Sequence, residues 1–229
     1  MRTSSGWRTD VIYGAMSDDS LLVNGSSEAP ITLVLAHGAG APMDSHFMNM
    51  VAQAIGGNDV RVVRFEFPYM AARRTSGKRH APDREPILIE SWRSVIAKLG
   101  SAAGLVIGGK SLGGRIASMI ADEVGAAGLV CFGYPFHPPG NPGRLRVKHL
   151  ENLRTPALIV QGSRDSFGRP DEVADYHLSE KIRIVWIEAG DHSLKPPARS
   201  GRTEAQNLAS AISEVQRFLS DLRFAAGRR

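Results

Sequence analysis

Twelve consecutive residues constrain this chain more than any others: Gly104-Leu105-Val106-Ile107-Gly108-Gly109-Lys110-Ser111-Leu112-Gly113-Gly114-Arg115. Two patterns overlap in them. Read from Gly104, the stretch is G-x-x-x-x-G-K-S, a phosphate-cradling loop; read from Gly109, it is G-x-S-x-G, a sharp turn that lifts a serine between a strand and a helix. A phosphate loop needs a strand before its first glycine, but Lys98-Leu99-Gly100-Ser101-Ala102-Ala103 reads as a helix end and a turn. Its loop positions would hold Leu105, Val106 and Ile107, forfeiting roughly 1.5–3 kcal/mol of burial for each side chain. No later strand ends in an obvious Mg²⁺-binding aspartate. The serine turn requires the opposite: a strand through Gly108, an abrupt reversal at Ser111, and a helix at once. Gly109 and Gly113 then remove side chains that would collide where strand and helix crowd together. The serine turn is the favoured reading, with the phosphate loop kept as its competitor.

The rest of the chain suits a buried strand at that point. Short apolar runs at 31–36, 60–65, 104–108, 128–132, 157–160 and 182–187 read as strands covered on both faces. Helical patterns lie between them, near 44–56, 86–99, 112–124, 146–153, 170–179 and 203–222. In the last of these Leu208, Ile212, Val215 and Leu219 share one face. Such alternation predicts an α/β fold with a mostly parallel sheet. Trp7–Tyr13 and Ser20–Val23 suggest a leading antiparallel hairpin. The Pro/Gly-rich stretches 135–143 and 195–201 sit between elements and are expected to be loops on the active-site side. No repeat or linker divides the 229 residues, so one domain over 1–229 is expected.

Composition excludes several classes. With 42% hydrophobic and 22% charged residues the chain is neither disordered nor fibrous. No apolar run approaches the roughly 20 residues that cross a bilayer, and Met1–Trp7 lacks the apolar core of a secretory signal. A single cysteine, Cys131, forbids an internal disulfide and a cysteine-rich zinc site. A cytoplasmic protein without a metal, membrane or nucleic-acid partner is expected. The net charge of +5 argues otherwise only superficially: Arg73, Arg74, Lys78, Arg79 and Arg84 are assigned to one surface loop, and Arg228 and Arg229 end the chain. No aromatic interleaving or docking motif accompanies them.

A serine hydroxyl needs a base, and the base needs an acid to orient it. Of seven histidines, only His192 follows the last expected strand, in Gly190-Asp191-His192-Ser193. Asp165 follows the strand that ends Val160-Gln161-Gly162 and is the best-placed acid. Asp171 and Asp175 fall in the next expected helix, and Asp191 adjoins the histidine in sequence. Donors for a developing oxyanion are assigned to the backbone N–H groups of Leu112 and of Ala39, in the small-residue loop His37-Gly38-Ala39-Gly40. His37 is read as a turn-stabilising residue. Tyr69, Met70, Phe136 and Phe167 are candidate substrate-binding walls.

Taken together, Leu35–Asp44, Phe67-Pro68-Tyr69-Met70, Gly109–Arg115, Gly133–Gly140, Gln161–Asp165 and Gly190–Ser193 resemble the dienelactone-hydrolase-related α/β hydrolases. The likeness runs from about residue 30 to 220. It is greatest to the branch of bacterial relatives of testis-expressed protein 30 and of subunit 3 of the nonspecific-lethal complex. The resemblance implies the α/β-hydrolase fold and Ser111, Asp165 and His192 as a triad; too few residues lie between the strand ending near Phe132 and the next helix for a large helical cap, and no cofactor is expected. It implies no particular substrate, since some animal members serve as complex subunits. Dienelactone hydrolases use a cysteine nucleophile, and this chain has Ser111 instead. The expectation is a serine hydrolase acting on a small acyl ester; a catalytically silent scaffold of the same fold is the alternative.

Overall fold

The computed structural model describes residues 21–100 and 104–226. The proposed strand Trp7–Tyr13 and the basic pair Arg228 and Arg229 lie outside them. The described elements run β1 (Leu21–Asn24), β2 (Ile31–Ala36), α1 (His46–Ile55), β3 (Val60–Phe65), α2 (Pro68–Ser76), α3 (Glu85–Leu99), β4 (Leu105–Lys110), α4 (Leu112–Ile120), β5 (Gly128–Phe132), β6 (Ala157–Gly162), α5 (Pro170–Val173), β7 (Ile182–Ile187) and α6 (Glu204–Ala226).

The seven strands form one sheet in the order β1-β3-β2-β4-β5-β6-β7. β1 runs antiparallel to β3 and every other pair is parallel. Alternation along each strand supplies two cores, one on each face. Val34, Phe65, Ile107 and Cys131 pack with Trp92 of α3 and Ile116 of α4 on one side. Leu33, Leu35, Val106 and Val130 pack with Val51 of α1 and Val215 of α6 on the other. The helices that follow β2 and β4 therefore leave toward opposite faces. Between the C-terminal ends of these neighbouring strands lies the crevice where open α/β sheets bind ligands.

Several expected elements differ. The segment expected as a helix over 146–153 holds only a single 3₁₀ turn at Lys148–Leu150, and that over 170–179 shrinks to the four residues of α5. Asp175 therefore lies beyond the helix. α2 was not anticipated, and it takes Arg73 and Arg74 out of the presumed basic loop, which begins only at Gly77. Pro68 occupies the first turn of α2, where its missing N–H costs nothing, and Gly77 closes it in the left-handed conformation. β1 pairs antiparallel with β3; the other strand of the expected leading hairpin lies outside the described residues. Between β5 and β6 no helix exceeds three residues, so no helical cap covers the C-terminal edge of the sheet there.

Candidate active site

The stretch Leu105–Lys110 is a strand, hydrogen-bonded to β2 on one side and to β5 on the other. The phosphate-loop reading fails on this point, because residues that would cradle phosphate are fixed in the sheet. Ser111 follows directly with φ 50° and ψ −112°, a left-handed conformation that costs a non-glycine residue on the order of 1–3 kcal/mol. Its neighbours over-determine it. The Ser111 N–H donates to Phe132 O at 2.9 Å, and its carbonyl accepts from Arg115 N–H at 2.9 Å. A Cβ at either Gly109 or Gly113 would collide with the Ala36 carbonyl at the end of β2. The two glycines let the turn press against the neighbouring strand.

The loops after β6 and β7 bring two side chains to this serine. His192 Nε2 lies 2.8 Å from Ser111 Oγ, and His192 Nδ1 lies 2.8 Å from Asp165 Oδ2. A carboxylate only accepts, so Nδ1 carries the imidazole proton and Nε2 is left to accept from the serine hydroxyl. Asp165 is fully buried. Its Oδ1 accepts the Phe167 N–H at 2.9 Å, and its Oδ2 also accepts from Gln161 Nε2 at 2.9 Å. Burial holds the His192 imidazole below its ordinary pKa, against the opposing Asp165 hydrogen bond and with the Lys110 cation pushing the same way.

The histidine loop is shaped by its own sequence. Asp191 Oδ1 accepts the N–H groups of Ser193 and Lys195 at 2.7 and 2.9 Å. Ala189 and Leu194 both adopt positive φ, and the buried Asn207 of α6 donates to the carbonyls of Glu188 and Leu194 at 3.1 and 2.9 Å. Lys110 completes the brace by donating from Nζ to the main-chain carbonyl of His192. Its ammonium also sits over the Phe47 ring, 5.9 Å from the centroid. Burial pulls the Lys110 pKa down to about 8, although Asp165 and Asp191 oppose the shift.

A cavity of about 480 Å³ opens at these groups, lined by Gly38, Ala39, Gly40 and Ala41 on one side and by Phe47, Phe167 and His192 on the other. Ser111 and Lys110 form part of its wall. A Cβ on Gly38 would stand 3.7 Å from Ser111 Cβ, so the loop after β2 passes directly beside the serine. Among the described residues the N–H groups of Ala39 and Leu112 have no hydrogen-bond acceptor. His37 fixes the loop from beneath: its Nε2 accepts the Phe67 N–H at 3.1 Å, so Nδ1 donates to Gly38 O at 2.7 Å.

Of the four candidate walls, only Phe167 lines the cavity, and its ring stacks on the His192 imidazole with centroids 4.1 Å apart. Tyr69, Met70 and Phe136 are 4%, 2% and 0% exposed and belong to the core. Tyr69 nonetheless supports the cavity from behind, since its hydroxyl reaches Gly38 O and Ala39 O, each at 3.3 Å. Phe136 packs against Tyr134 and Tyr176. The stretch 135–143 contributes no residue to the cavity, whereas 195–201 contributes Lys195 at its rim. Phe47 and Gln161 were not foreseen. Gln161 carried a signal: an amide in the apolar run Ala157-Leu158-Ile159-Val160-Gln161 must find partners, and it bonds Tyr134 N–H, Tyr134 O and Asp165.

Comparison with known proteins agrees with this architecture. A family model described as "Alpha/beta hydrolase domain" matches residues 29–220. An alpha-beta serine hydrolase homologue from Coxiella burnetii is 18% identical, with 87% of this chain and 90% of that one covered and a TM-score of 0.65. A serine hydrolase without a lid from Xanthomonas campestris is 18% identical, with coverage of 88% and 86% and a TM-score of 0.61. A dienelactone hydrolase from Anabaena variabilis is 17% identical, with coverage of 88% and 90% and a TM-score of 0.64. At these identities the structural likeness is one of fold. The family match spans most of the sequence, and the chain belongs to the alpha/beta hydrolase domain family.

Proposed function

We propose that the protein is a serine hydrolase of carboxylic esters, with Ser111 as nucleophile, His192 as general base and acid, and Asp165 as the group that orients the imidazole. The supporting observation is the unbroken hydrogen-bonded chain from Ser111 Oγ through His192 to Asp165, each link 2.8 Å, opening on a cavity. Ser111 Oγ attacks the substrate carbonyl while its proton passes to His192 Nε2. The resulting imidazolium is held between Asp165 and the tetrahedral centre. The N–H groups of Ala39 and Leu112 donate to the oxyanion, a role in which one donor typically contributes 10²–10³ in rate. His192 then protonates the leaving alkoxide, giving an acyl-enzyme on Ser111. Water attacks that ester with His192 again as base, releasing the acid and restoring the hydroxyl.

No metal or organic cofactor enters this sequence of steps. The segments shared with the testis-expressed protein 30 and nonspecific-lethal subunit 3 branch support placing the chain there within the family. A fluorophosphonate probe and a short p-nitrophenyl ester test the proposal. Labelling and turnover that vanish in Ser111→Ala support it. Asp165→Asn should lower kcat by about 10³–10⁴, the effect of losing the orienting acid. A well-folded protein that neither labels nor hydrolyses any acyl ester is a scaffold, and the proposal is then wrong.

A further inference from the structure

Beside the serine cavity lies a second one of about 440 Å³, lined by Ala39, Gly40, Arg73, Arg79, His80 and Pro82 among others. Ala39 and Gly40 border both cavities, so a single backbone ridge separates them. The ridge is low. A Cβ on Gly40 would meet no atom within 4 Å, which leaves open space above it.

The charge on the far side is uncompensated. Arg74 is paired with Asp44 and with Glu66, and Asp83 accepts the Tyr69 N–H at 2.8 Å. These bonds engage Asp44, Glu66 and Asp83. Arg73, Lys78, Arg79 and Arg84 have no carboxylate within ion-pair distance among the described residues. Arg73 is anchored through one N–H to Gly40 O at 3.3 Å, and a guanidinium with five donors keeps others for a ligand. Cationic residues clustered in a concave site without acids favour an anionic ligand, and the planar guanidinium suits carboxylate and phosphate oxygens alike.

The geometry points to an oxyanion subsite: we infer that the preferred substrates are esters whose acyl chain ends in a carboxylate or phosphate, held by Arg73 and Arg79 across the Gly40 ridge. This rests on Ser111 being the nucleophile. With the reacting carbonyl at the Ala39 N–H, the chain crosses one residue of backbone, about 3.8 Å between Cα atoms. A linker of roughly three to five atoms spans that distance with room for both ends.

The test compares mono-p-nitrophenyl glutarate with p-nitrophenyl valerate, which have five-carbon acyl chains and differ in the terminal charge. The wild-type ratio of kcat/KM, anionic over neutral, is expected to be about tenfold at low salt, the size of one charge-assisted contact. It should collapse toward one in 1 M salt, where screening acts within about 3 Å. Arg79→Gln and Arg73→Gln should each lower the ratio several-fold. Gly40→Ala should do so as well, by raising the ridge at a position where a Cβ meets no atom within 4 Å. A wild-type ratio near one, or a ratio unchanged in all three variants, overturns the inference while leaving the hydrolase reading intact. If neither ester is turned over and the fluorophosphonate probe does not label the protein, the hydrolase reading fails, and calorimetric titration with glutarate and with 4-phosphonobutyrate still decides the subsite. Binding that is lost in an Arg73→Gln, Arg79→Gln double variant supports it, with the tighter ligand identifying the oxyanion; no binding of either ligand overturns it.

Discussion

The ammonium of Lys110 donates to the main-chain carbonyl of His192, so the residue before the serine holds the residue that the serine faces. Sequence adjacency thereby becomes control of a loop 82 positions downstream. Lys110→Met should remove the tether and the cation together. The expected loss in kcat/KM is at least about tenfold, the worth of one hydrogen bond to a charged group. Because Lys110 also pushes the His192 pKa down, the acid limb of the pH–rate profile should move to higher pH in the variant. A profile that only drops in height, without moving, would mean that Lys110 acts through the tether and not through its charge.

The wild-type profile has a definite sign. In the proposed mechanism His192 must be neutral to accept the serine proton, and burial favours the neutral form. Activity should therefore rise with pH through a midpoint below 6.5 and be level by neutrality. Measuring kcat/KM for an uncharged ester between pH 4.5 and 8 checks this, and a midpoint above 6.5 would contradict it.

Much of this was legible from the chain itself, for stated reasons. β4, Ser111 and α4 are contiguous, so glycine spacing and an apolar run suffice to find the turn. Asp165 and His192 stand just past strands in the required order, which locates them without knowledge of distance. Lateral packing is what sequence does not carry. Tyr69, Met70 and Phe136 have the composition of a substrate wall but turn into the core, since a large aromatic or thioether side chain suits either environment. α2 was missed because only Tyr69 and Met70 of its nine residues are buried, too few to show a period. Its signals were the bounding Pro68 and Gly77.

Ser111 is predicted to carry a stability cost that a smaller residue relieves. Ser111→Gly removes the Cβ from the φ 50° position and should raise stability by about 1 kcal/mol, or roughly 2–4 °C in melting temperature. Ser111→Ala keeps the Cβ and should gain nothing by this route. Both should be inactive. Calorimetric melting of the two variants beside the wild type is the check.

Gln161 should be more sensitive than its distance from substrate suggests. Gln161→Leu unpairs the Tyr134 N–H, leaves the Tyr134 carbonyl with the Phe136 N–H as its remaining donor, and removes one donor from the buried Asp165 carboxylate. An unsatisfied buried group costs about 1–3 kcal/mol, and a loss of that size in urea unfolding is expected. A fall in kcat larger than the change in KM should accompany it.

His149 gives the fold an acid weakness separate from the serine. It lies between Ser118 Oγ at 2.8 Å and Tyr134 Oη at 3.2 Å, and burial, assisted by Arg115, brings its pKa down to about 4. In the unfolded chain it takes up a proton below about 6.5. Stability is therefore full above that value and declines as pH falls toward 4, by on the order of 2 kcal/mol. His149→Gln should flatten the difference between urea midpoints at pH 7 and pH 5; an unchanged difference would assign it to other groups.

The pairing of Ala36 with Gly109 across β2 and β4 welds the two halves of the chemistry into one slab of backbone. The loop beside the serine and the serine itself cannot drift apart while the sheet survives. Inactivation by heat should consequently coincide with melting of the whole β-layer, and enzyme assay and far-ultraviolet circular dichroism should trace a single curve.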